Sequence, residues 1–423
     1  MQSHPFAYEN QENHPVRWSV VTVAFLAILL DGFDTTLIAF VVPALSKEWA
    51  LPVSAFSPVF IATSVGAVIG YLLSGRVSER YGKKTVIIIS VIGFALGSIA
   101  TLLSHSIFTL AAWRLVTGIG LGAVLPPAVA LAVANGPSGR KEAVSVAVGA
   151  GLSLGATIGG LVGGALIERF GWQSLFVLGS ILPALLVPLL IWVLPGHESG
   201  NKVLSSTSAG VPECRSGGVA SLLKKPQRLQ TMLLWSFSLF TFTTFYALCF
   251  WVPTVLTTLG FTVANAALGV AALGGGGVIG SLLLIPLAAR FGIRQILMVT
   301  SMATVALVGM TALRAFSPSE LLIAIGAIGA CLVAGTLGQV AIAVRMYEVQ
   351  AQTTGVGYSA AWGRIGSIVG PAAGGLLISA GFEPQQLLFS AGVPAALAAL
   401  IMALLLLTAR KQVVQADALG QVD

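Results

Sequence analysis

Ala27-Ile-Leu-Leu-Asp31-Gly32-Phe33-Asp34-Thr35-Thr36-Leu-Ile-Ala-Phe-Val-Val-Pro43-Ala44 lies inside the first long apolar run of the chain, which opens near Trp18. At about 1.5 Å of rise per helical residue, Asp31 stands roughly 20 Å along such a helix. A hydrocarbon core is about 30 Å thick, so the run can span it and its acids fall past the middle. Each carboxylate there costs roughly 2.5 to 3.5 kcal/mol on insertion scales. The i, i+3 spacing puts Asp31 and Asp34 on one helix face. Such groups either pair with an arginine and fix helix packing, or form the proton or ion relay of a transporter. Intramembrane ionisable groups favour the second reading.

Composition extends the membrane reading to the whole chain. Of 423 residues, 56% are hydrophobic and 9% charged, with a mean hydropathy of +0.93. A soluble protein carries about 25% charged residues. The net charge of +7 is assigned to loops at the cytoplasmic face rather than to nucleic acid, and no nucleic-acid partner is expected. Cys214, Cys249 and Cys331 are far apart and have neither disulfide-framework nor metal-site spacing. His4, His14, His105 and His197 all lie outside the apolar runs, so no haem or zinc site is expected. Without a His or Cys cluster or a nucleophile motif, no enzymatic activity is expected either.

Twelve apolar runs read as membrane helices: 18–44, 56–74, 85–103, 107–132, 143–167 and 174–194, then 230–256, 264–288, 295–314, 319–344, 354–380 and 385–408. A polar, Ser- and Gly-rich stretch separates the halves. The expected organisation is a tail (1–17), a first six-helix bundle (18–194), a linker (195–228), a second six-helix bundle (229–408) and a second tail (409–423). With this topology, Lys47, Arg169 and Arg314 face the side away from the termini, while Arg114 and Arg364 are intramembrane. The other 17 of the 22 Lys and Arg lie on the side of the termini. That bias places both termini in the cytoplasm.

The halves repeat each other. Gly155, Gly159, Gly163 and Gly164 recur as Gly366, Gly370, Gly374 and Gly375, at an offset of 211. Arg80-Tyr81-Gly82 recurs as Arg290-Phe291-Gly292, at an offset of 210. A parallel repeat of six plus six helices is the pattern of a two-bundle transporter. The ladder Gly151, Gly155, Gly159, Gly163 lets another helix backbone come close.

Gly75-Arg76-Val77-Ser78-Glu79-Arg80-Tyr81-Gly82-Lys83-Lys84, between the second and third runs, resembles the signature loop of the major facilitator superfamily, with Glu79 in place of the commoner aspartate. An acid at a cytoplasmic helix end can pair with a basic group or a helix N-terminus. Broken on inward opening, that pair makes a latch, so Gly75, Glu79, Arg80, Gly82 and Lys83 are candidate gating residues; the basic residues could also serve topology alone. Arg114-Leu-Val-Thr-Gly118-Ile-Gly120-Leu-Gly122 resembles the superfamily's fourth-helix motif. The fifth-helix ladder is similar to that of drug antiporters, but has Ala156 where their proline stands. Asp31-Gly32-Phe33-Asp34, together with Trp362-Gly363-Arg364-Ile365-Gly366 and Gly370-Pro371, resembles the aromatic acid:proton symporter family. The resemblance implies an all-α membrane protein of twelve transmembrane helices in two six-helix bundles. It also implies proton-coupled uptake of a benzoate, hydroxybenzoate or phenylpropionate across a bacterial inner membrane.

The residues fit such a substrate. An aromatic anion needs a cation for its carboxylate and flat apolar surfaces for its ring. Arg364, halfway along its helix, can bind a carboxylate bidentately or lock two helices through an ion pair. Arg114 can pair with Asp34 or meet substrate. Phe242 and Tyr246, at i and i+4, share a face that serves either a ring site or packing. Tyr358 and Trp362 precede Arg364 on its helix, and Gln339 is a polar group needing a partner. Asp31 and Asp34 are the candidate proton carriers. No cofactor is expected beyond the proton gradient, and a monomer is expected. The alternatives are a transporter of another small organic solute (an aliphatic acid, a sugar or a drug) and a transporter-like membrane receptor.

Overall fold

In the computed structural model, residues 16–137, 140–195, 223, 227–313, 316–347 and 349–418 are described. Among these residues twelve long α-helices follow one another: α1 Trp18–Glu48, α2 Ser57–Tyr81, α3 Lys83–Thr101, α4 Ile107–Asn135, α5 Lys141–Phe170 and α6 Gln173–Val193, then α7 Arg228–Thr258, α8 Val263–Phe291, α9 Ile293–Leu313, α10 Pro318–Met346, α11 Val349–Ser379 and α12 Pro384–Ala418. Eleven are long and apolar enough to cross a membrane. The exception is α11, whose apolar stretch is interrupted by Arg364 and by its glycines. Most of the linker read as 195–228 lies outside the described residues, as do residues 1–15 of the first tail. Helix α12 continues through Ala418, into the stretch read as the second tail.

Helix ends follow local chemistry more closely than hydropathy. Ser106 and Thr109 form a capping box at the start of α4, and Ser317 and Glu320 do so at α10. The stretch from Gly75 is helical as far as Tyr81, not a loop. Its polar residues end the apolar run without breaking the helix, which stops only at Gly82, where φ is +85°. Lys84, just beyond, donates to the carbonyls of Ile191 (2.6 Å) and Leu194 (2.7 Å), capping the end of α6.

The internal repeat is visible in three dimensions. Gly292 ends α8 with φ +84°, as Gly82 ends α2, and Gly171 and Gly381 form a second pair at +77° and +83°. Arg80 lies over the Tyr81 ring and Arg290 over the Phe291 ring, both at 5.3 Å. Gly155 of α5 seats on Leu29 and Phe33 of α1, as Gly366 of α11 seats on Leu239 and Thr243 of α7.

Helices α1 to α6 form one bundle and α7 to α12 the other, meeting through α5 against α8, α2 against α11 and α1 against α7. Helix α1 is buried on every side through its middle, from Leu30 to Pro43 except Thr35. On the side away from the termini the bundles are shut. Gly164 abuts Ala264, Gly375 abuts Ser57, and Phe60 stacks on Phe250 (4.9 Å) and meets Trp251 edge-on (5.0 Å).

Candidate functional site

The two acids of α1 have different surroundings. Asp34 is fully buried and forms an ion pair with the equally buried Arg114 of α4, Nη1 to Oδ1 2.8 Å. The Arg114 Nη2 also donates to the Asp34 carbonyl (3.3 Å) and Nε to Thr63 (3.4 Å). Ser98 of α3 donates to the other Asp34 oxygen. The network ties α1, α2, α3 and α4 together, and the arginine's fork makes the several contacts possible. Of the alternatives for Arg114, the structure shows the pair with Asp34.

Asp31 is also buried, but among the described residues its side chain accepts a hydrogen bond only from Thr35, one turn on, at 3.1 Å. It lines a cavity between the bundles together with Arg364. Thr35, Thr63, Ser64, Ala67, Leu121, Gly122 and Leu152 line the first-bundle side, and Tyr246, Phe250 and Ser367 the second. Arg364 donates to the Tyr246 hydroxyl (3.4 Å), and its guanidinium lies 5.1 Å over the Tyr71 ring. Among the described residues no carboxylate forms an ion pair with it. A cation supported by a ring face and one hydroxyl keeps donors available for an anion. The free volume of ≈ 20 Å³ holds about one water, whereas an aromatic ring needs on the order of 150 Å³. The conformation is therefore a collapsed one that must widen to admit a ring.

The other sequence-predicted residues lie around this centre at different distances. Phe242 is half-buried behind Tyr246, stacked on it at 6.1 Å and pressed against Gly363 and Gly366. Trp362 and Tyr358 do not line the cavity. Trp362 precedes Arg364 by two residues, about 200° around a helix. Both rings stack on Trp235 at 5.8 Å, on the face that exposes Ile365, Val369 and Leu376. Gln339 is buried inside the second bundle, where Ser238 and Ser359 donate to its side-chain oxygen. At the terminal end of α2, Gly75, Glu79, Arg80 and Lys83 are exposed, and Glu79 has no ion pair among the described residues.

Tyr71 and Ser64 escaped the sequence reading, and Phe250, one of the many aromatics of α7, was not singled out as a site residue. A signal was present on α2: Phe60, Ser64, Ala67 and Tyr71 recur at i, i+4, i+7 and i+11, one stripe of a helix. In an apolar helix that stripe does not stand out, because its lipid face is apolar too.

Two helical bundles closed around a buried, charged cavity define a membrane transport protein. The chain belongs to the Major Facilitator Superfamily, whose family model matches residues 24–284 and 271–421. It is similar to the 4-hydroxybenzoate transporter PcaK of Pseudomonas aeruginosa, 30% identical with 91% of each chain covered. It is also similar to a gallate transporter of Pseudomonas putida, 29% identical with 92% of each covered. Among solved structures, a bacterial homologue of the human lysosomal transporter Spinster superposes with a TM-score of 0.73 at 17% identity, over 93% of this chain and 97% of that one. The protein is a transporter, not an enzyme.

Proposed function

We propose that the protein imports an aromatic carboxylate together with protons across a bacterial inner membrane, acting as a monomer with both termini in the cytoplasm. The observation that carries this reading is the division of labour among the four intramembrane charges. Arg114 and Asp34 neutralise each other, while Arg364 and Asp31 line one cavity without forming an ion pair. The relatives named for aromatic acids support the substrate class.

In this mechanism the substrate carboxylate takes the free donors of Arg364 as a bidentate pair. Its ring lies along Tyr246 and Phe250, with Phe242 as backing. A carboxyl near a cation favours its ionised form, and one in a dry apolar site its protonated form. Once the substrate anion has claimed Arg364, Asp31 loses that support and takes up a proton. Anion and proton then cross together as the bundles rock, and release of the substrate leaves Arg364 to act on Asp31 across the cavity again. The aromatic contact of Phe60 with Phe250 and Trp251 opens in the outward phase, and Glu79 latches α2 in that same phase.

The test is binding to purified protein, by calorimetry at a pH where the ligand is ionised. Arg364→Lys keeps the charge but loses the planar fork; it is expected to weaken binding of 4-hydroxybenzoate, and Arg364→Ala to abolish it. The corresponding amide should not compete. Equal binding of acid and amide, or a well-folded Arg364→Ala variant that binds like the parent, would remove Arg364 from the substrate site.

A further inference from the structure

Four Ser and Thr hydroxyls line the cavity between the bundles, and three are committed. Thr35 donates to Asp31, Thr63 donates to the Val59 carbonyl at 2.9 Å while accepting from Arg114, and Ser367 donates to the Arg364 carbonyl at 2.7 Å. The fourth, Ser64, is 3% exposed, and its Oγ has no hydrogen-bond partner among the described residues. Buried hydroxyls are mostly paired; of those without a partner among the described residues, which include Ser78, Ser104, Thr241 and Thr254, Ser64 is the one that lines this cavity, and there it is a vacancy in the recognition chemistry.

Its position gives the vacancy a meaning. Ser64 shares the α2 stripe with Phe60, one turn toward the closed end, and Tyr71, two turns toward the terminal side. Tyr71 lies under Arg364. A ligand anchored by its carboxylate at Arg364 and lying along Tyr246 and Phe250 has Ser64 beside its ring, away from the charged end. We infer that Ser64 is a specificity residue that hydrogen-bonds a hydroxyl substituent on the ring of the substrate. This rests on the aromatic-carboxylate reading above.

A serine hydroxyl can donate to or accept from a phenol. Losing one such neutral pair inside a closed site weakens binding by about tenfold. The experiment compares 4-hydroxybenzoate, 3-hydroxybenzoate and benzoate on the purified parent, Ser64→Ala and Ser64→Thr, by calorimetry. The parent is expected to bind at least one hydroxybenzoate about tenfold more tightly than benzoate. Ser64→Ala should erase that ratio by weakening the hydroxybenzoate alone, and Ser64→Thr, which keeps the hydroxyl, should retain it. A parent that prefers benzoate, or a Ser64→Ala variant with the parent's ratio, overturns the role of Ser64 and leaves the aromatic-carboxylate reading standing. So does a variant weakened equally toward all three, because that marks a structural role. A parent that binds none of the three overturns the underlying reading itself.

Discussion

At the scale of single residues, charge pairing decides which groups are structural. Removing one partner of a buried ion pair leaves an uncompensated charge and costs about 3–5 kcal/mol. Arg114→Ala is therefore expected to lower the unfolding temperature sharply in a detergent-solubilised thermal assay, and Asp34→Asn to lower it too. Asp31 forms no ion pair among the described residues and accepts a hydrogen bond from Thr35, so Asp31→Asn should unfold near the parent temperature. Equal losses for all three would contradict the division between a structural and a free acid. The sequence shows two aspartates three apart and two intramembrane arginines, but not who pairs with whom. Pairing depends on the rotation of α4 and α11 about their axes, which is set by packing against helices far away in the chain. The same rotation carries Trp362 and Tyr358 away from the cavity although Arg364, two residues on, points into it.

At the scale of helices, close approach of backbones holds the first bundle. A Cβ built at Gly32 would collide with the Leu152 carbonyl oxygen, and one at Gly155 with that of Leu29, so α1 and α5 touch at both glycines. Gly32→Ala forces the helices apart and should cost about 1–3 kcal/mol, in the range of overpacked cores. Gly93→Ala in α3 meets nothing within 4 Å and should match or exceed parent stability. A thermal shift measured on both variants checks this, and a tolerant Gly32→Ala variant would show that the contact yields easily. The glycine ladder of α5 was legible because four-residue spacing in an apolar helix has a clear steric use. The ends of α2 and α12 were less so. Hydropathy reports where the membrane stops, and a helix continues past that point until a residue such as Gly82 breaks it.

At the scale of the whole molecule, the repeat was the most legible feature. Glycines and Arg-aromatic-Gly triplets at offsets of 210 to 211 mark turns and contacts that recur in both bundles. The bundles differ in chemistry. The first is held by a buried ion pair, the second by the uncharged Gln339, Ser238 and Ser359 cluster, and the free charges lie between them. Closure on the side away from the termini and a cavity too small for a ring describe one collapsed conformation, which the proposed mechanism takes as a stage of its cycle. The most direct measurement is uptake of labelled 4-hydroxybenzoate into proteoliposomes under an imposed inward proton gradient, for the parent and for Asp31→Asn. The parent is expected to accumulate substrate above its external concentration and to lose that accumulation when a protonophore is added. Asp31→Asn is expected to accumulate none. Accumulation by Asp31→Asn at the parent level, or parent uptake indifferent to the proton gradient, would contradict a proton carried on Asp31.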